Sequence, residues 1–139
     1  MPVVTLNYGA ILLCGIINMA LGMLWYGPLF RKPWAKMMGL ECTEAKMKEM
    51  QKKAMPAYAA AFVGALVMAY VLSHFIDYAM AKMATDGALV GFWAWLGFVA
   101  PATLANNMFG GKNIKLWLID AGYYLVSLLI FGAVLAAWA

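Results

Sequence analysis

The sequence predicts an all-α integral membrane protein: a four-helix bundle with an amphipathic helix on the cytoplasmic side between the first and second spans. Composition leads there first. The chain is 66% hydrophobic and 12% charged, with a mean hydropathy of +0.80, whereas a soluble domain carries about a quarter charged residues. A water-soluble fold of 139 residues has too little interior for that much apolar surface. The second observation is pattern. The apolar residues fall in four long runs without period-two alternation, and in lipid only helices and closed barrels satisfy their own backbone. A hydrocarbon core of about 30 Å asks for roughly 20 residues per helix, which each run supplies.

The first span is expected over 6–26. Gly15, Asn18 and Gly22 recur at helical spacing and make one thin, slightly polar face suited to a second helix. Trp25 and Tyr26 stand where interfacial aromatics belong, and Gly27-Pro28 ends the helix because proline removes a donor and restricts its predecessor. Met1 to Tyr8 holds no Lys or Arg, so the first run is expected to be a retained helix rather than a cleaved signal. Residues 27–56 form the extended polar region. Within it Thr43 can cap a short helix whose Met47, Met50 and Ala54 share one side. Glu44 with Lys48, and Glu49 with Lys53, stand in the favourable order. Such a helix should lie along the membrane surface.

The second span is expected over 57–77. Ala57, Ala61, Ala65 and Ala69 repeat every four residues with Ala60 and Gly64 beside them, a small-residue seam for close helix packing. The third, 87–109, is entered by Gly87 and Gly91 and bent at Pro101, which frees the carbonyl of Gly97. Gly110-Gly111 closes it, Asn113 can open the next helix, and the fourth span covers 116–138, making an antiparallel hairpin with the third.

Nine of the ten basic residues fall in the loops after spans one and three, and Lys82 alone on the other side. By the positive-inside rule this places a multipass protein in the cell membrane with both termini outside the cytoplasm. The net charge of +4 is then a topology signal and an attraction for anionic headgroups, not a nucleic-acid surface. Tyr26-Gly27, Lys32 and Trp34 echo Phe109-Gly110, Lys115 and Trp117 at equal offsets. A duplicated two-helix unit and the common appearance of cytoplasmic helix ends both account for it.

Candidate chemistry is sparse. Asp120 is the carboxylate inside a predicted span, and intramembrane acids are functional hypotheses by default. Asn106 and Asn107 lie at a similar depth, Asn18 lies deeper, and Tyr124 and Ser127 continue the Asp120 face. If these faces turn inward they form a polar pocket for a proton or small solute; the competing reading is a set of interhelical hydrogen bonds. His74 and Asp77 read as interfacial polar residues, since structural zinc wants four ligands. The loop methionines Met37, Met38, Met47, Met50 and Met55, near Cys42, invite a copper(I) reading, but their spacing follows a helix face. Cys14 and Cys42 are expected as free thiols. No nucleophile-base set, phosphate loop or paired carboxylates are visible, so no enzyme, metal or cofactor is expected.

Gly22-Met23-Leu24-Trp25-Tyr26-Gly27-Pro28-Leu29-Phe30, then Trp34 and Gly39-Leu40, Gly97-Phe98-Val99, and Leu118-Ile119-Asp120-Ala121-Gly122-Tyr123 carry a likeness that runs over nearly the whole chain. On these residues the chain resembles the domain-of-unknown-function family 1761, small four-helix membrane proteins, with Trp25, Tyr26, Gly27 and Pro28 as the most specific part. The resemblance implies a multipass membrane protein of about this length and supplies no activity and no catalytic residue. The expectation is a protein acting through helix-helix contacts, as a homo-oligomer or as an accessory subunit with other membrane proteins. A transporter or channel around Asp120 is the rival, and an enzyme acting on a lipid or quinone comes third.

Overall fold

The computed structural model describes residues 6–25 and 55–138, and every described element is a helix. Tyr26, Gly27, Pro28, the expected amphipathic helix, Cys42 and the methionines Met37, Met38, Met47 and Met50 lie outside the described residues. α1 spans Tyr8–Leu24 and starts where the Asn7 side chain accepts from the Ala10 amide at 3.1 Å. α2 spans Met55–Tyr78. It stops as Met80 takes a left-handed φ of 56° and the Ala81 amide reaches back to the Ile76 carbonyl, a helix end that glycine usually supplies.

α3, Ala84–Ala94, runs through a π-helical turn, Trp95–Val99, into α4, Ala100–Phe109. Pro101 explains the turn. Its ring crowds the Gly97 carbonyl and offers it no N–H, and the backbone widens just before it, so that the Ala100 amide bonds five residues back to Trp95. Gly111, at φ 68°, turns the chain, and α5, Ile114–Ala137, starts with the Asn113 side chain accepting from the Lys115 amide.

α5 is the centre of the bundle and touches every other helix. Its closest neighbour is α3, and the reason is glycine. A Cβ added at Gly87 would lie 2.0 Å from the Gly132 carbonyl oxygen, one at Gly132 1.9 Å from that of Gly87, and one at Gly91 2.1 Å from that of Leu128. The two backbones therefore touch, which in lipid maximises the dispersion contacts that must replace the hydrophobic drive. α1 and α2 form the other close pair. A Cβ at Gly15 would meet Leu66 at 2.7 Å, and Ala10, Cys14, Ala65, Ala69, Leu72 and Ile76 are buried with Phe131 and Leu135 of α5. Cys14 is a free thiol in this core. The alanine seam is thus divided: Ala65 and Ala69 are inside, Ala57 and Ala61 are exposed, and no described residue lies within 4 Å of a Cβ built on Gly64.

The Asn7 side-chain amide donates to the Trp138 carbonyl, so the start of α1 lies beside the end of α5. Trp25 and Ile119 meet at the opposite end. Pro56–Tyr78, Ala84–Phe109 and Ile114–Ala137 are long and apolar enough to cross a membrane. α1, at 17 residues, sits at the short end of the range of about 17–25 that does so.

Candidate functional site

The polar residues singled out by sequence converge in part, at the junction of α1 and α5. Asn18 is buried on α1, with Tyr123 and Ser127 buried opposite it on α5. The Ser127 hydroxyl donates to Asn18 Oδ1 at 3.1 Å, and the Tyr123 hydroxyl donates to the Asn18 backbone carbonyl at 3.0 Å. A turn and more below, Trp25 Nε1 donates to the Ile119 carbonyl at 3.0 Å. Glycines make the room: a Cβ on Gly22 would stand 3.2 Å from the Tyr123 hydroxyl, and one on Gly122 3.3 Å from the Trp25 ring. In hydrocarbon a polar atom must find its partner within the protein. Here each bond also ties two helices together.

The third rod grips α5 in the same way. Trp95 Nε1 donates to the Ala121 carbonyl at 2.9 Å, and Trp117 Nε1 donates to Thr103 Oγ1 at 3.0 Å, whose own hydroxyl donates to Val99. Trp95 and Thr103 are eight residues apart, which on an α-helix would set them about 80° apart. The π turn takes up one extra residue, so the spacing behaves as seven, two turns within roughly 20°. Both side chains consequently face α5.

Asp120 lies between the two carbonyls that receive the Trp25 and Trp95 indoles, and it is half-buried. Tyr124 is half-buried one turn on, its ring 5.4 Å from that of Tyr123. Asn106 and Asn107 do not join this group. Asn106 is exposed, and the Asn107 amide donates to the Lys112 and Asn113 carbonyls at 3.4 and 3.3 Å. Measured along α5, Asn113 and Ser127 are fourteen residues or about 21 Å apart. The polar set expected as one pocket is therefore two groups, because the Asn107 amide finds its acceptors in the turn that follows its own helix.

Sequence reasoning missed Trp95, Thr103 and Trp117 as clamps, and Gly132 as the partner of Gly87. The spacing Gly87-x-x-x-Gly91 was a readable signal for the glycine contact; no local signal pairs an indole with a distant carbonyl. On α2, His74 Nδ1 bonds the Tyr70 carbonyl at 2.9 Å, and its ring lies 4.8 and 6.2 Å from those of Tyr70 and Tyr78. Among the described residues no three of His, Cys, Asp and Glu stand together as a metal-binding group.

These features define an all-helical protein with membrane-span-like helices, locked by glycine contacts and by tryptophan-to-carbonyl bonds. More particularly, the family model described as Protein of unknown function (DUF1761) matches residues 9–136, and the chain belongs to that family. Comparison with curated proteins gave no match, and neither did comparison with solved structures.

Proposed function

We propose that this is a non-enzymatic multipass protein of the cell membrane that works through lateral helix-helix contacts, first with a second copy of itself, using the N-terminal half of α2. One observation carries the reading. At Gly15 and at Gly87, Gly91 and Gly132 a neighbouring helix fills the space that the missing side chain leaves, whereas Ala57, Ala60 and Ala61 stay exposed and no described residue of another helix lies within 4 Å of a Cβ built on Gly64. Small residues let backbones approach, and close approach is what drives association in lipid. Single-molecule photobleaching in liposomes tests this. The wild type is expected to give two-step traces at high protein density, and the double variant Ala61→Leu, Gly64→Leu mostly single steps with unchanged helicity. Identical traces for both would sink the proposal, and a stoichiometric unrelated partner from native membranes would shift it to an accessory subunit.

A proton-coupled or small-solute transporter is the rival, supported by a half-buried carboxylate, Asp120, on an apolar helix. The bond between Asn18 and Ser127 weighs against it, since it uses the deepest polar pair as a strut. Proteoliposome flux that vanishes in Asp120→Asn with folding intact would favour the rival.

A further inference from the structure

The tip between α4 and α5 carries two kinds of surface at once. Four large apolar side chains stand out there: Phe109 is 93% exposed, Met108 67%, and Ile114 and Leu118 57% each. Lys112 and Lys115 are exposed on the same turn. From Ala102 to Ile119 the sequence contains no Asp or Glu, so the tip itself is purely basic. The turn is also held in shape. The Gly110, Gly111 and Lys112 amides bond back to Asn106, Met108 and Asn107, and the Asn107 side chain ties down the Lys112 and Asn113 carbonyls. Apolar groups beside exposed lysines match the boundary of a bilayer, where acyl chains meet phosphates and long lysine stems reach from one to the other.

We propose that this tip is a docking surface for the headgroup of an anionic phospholipid, with Lys112 and Lys115 against the phosphate and Phe109, Met108, Ile114 and Leu118 along the acyl chains. Charge complementarity selects this occupant over a zwitterionic lipid, and the apolar ring selects it over a water-soluble anion. The chain as a whole has the same sign, with a net charge of +4. The rigid turn keeps the site formed before the lipid arrives, which lowers the ordering cost of binding. None of this depends on self-association.

The test uses the full chain in a nonionic detergent, with native mass spectrometry against an equimolar mixture of a phosphatidylglycerol and a phosphatidylcholine of identical acyl chains. The wild type is expected to retain the anionic lipid preferentially. Lys112→Gln, Lys115→Gln is expected to lower that preference by roughly fivefold per lysine, while Lys82→Gln, at the other end, leaves it unchanged. In the wild type the preference should also fall as ammonium acetate shortens the screening length from about 10 Å to about 3 Å, a readout that needs no variant to fold. Equal retention of the two lipids, a preference that the double variant keeps, or one indifferent to salt overturns the proposal. Displacement of the lipid by equimolar inorganic phosphate would assign the surface to a free anion and overturn it as well.

Discussion

Asn18 shows what a polar side chain does in an apolar helix. Its amide sits among residues with almost no other hydrogen-bonding capacity, and it is served by Ser127 and, through its backbone carbonyl, by Tyr123. Interhelical hydrogen bonds of this kind contribute modestly, about 0.6 kcal/mol on average and about 1.7 at most. Part of the reason is that a helical serine freed of its partner can turn to its own backbone carbonyl four residues back. A double-mutant cycle of Asn18→Leu and Ser127→Ala, measured by reversible unfolding in bicelles, is expected to give a coupling of about 0.6 kcal/mol. A coupling near zero would show that the two side chains do not meet.

The π turn sets the phase of the third rod. With it, the Trp95 indole and the Thr103 hydroxyl both reach α5; in a regular helix they would diverge by about 80° and one of the two bonds would have to go. Pro101→Ala restores the missing amide to the Gly97 carbonyl and removes the clash that holds the turn open. The expected outcome is faster hydrogen exchange at one of the two indole N–H groups, Trp95 or Trp117, and slower exchange through the backbone of Trp95–Val99. The measurement is indole and amide NMR of selectively labelled protein in micelles. If both indoles keep wild-type protection, the turn is dictated by the contacts to α5 and not by the proline.

Over the whole molecule, the Asn7–Trp138 contact puts both described ends of the chain together, and Trp25–Ile119 puts the end of α1 beside the first turns of α5 at the other end. Of the described lysines, Lys82 stands between α2 and α3, and Lys112 and Lys115 stand at the α4–α5 turn. The positive-inside rule then leads to a directional expectation. In cells carrying Lys82→Cys, a membrane-impermeant maleimide should label the protein from outside; in cells carrying Lys115→Cys it should not until the membrane is opened. The reverse pattern would invert the topology.

The described helices were legible along the chain, because lipid imposes one rule on every residue of a span. Asn113 as a cap, Gly110-Gly111 as a turn, the disturbance at Pro101 and the hairpin of the last two rods are all local consequences of that rule and of backbone sterics. The candidate site was only half legible. Asp120, Asn18 and Ser127 announced themselves as polar atoms in apolar runs, but where each finds its partner depends on the rotation of one helix against another. That rotation was decided in three dimensions, by Gly87 closing on Gly132 and Gly91 on the Leu128 backbone, and by one extra residue in the third rod. Sequence alone determined that this chain belongs in lipid as a set of helices, since composition and run length are sums over residues. Which faces meet was left to tertiary structure, because contact between backbones a few ångströms apart is a property of pairs.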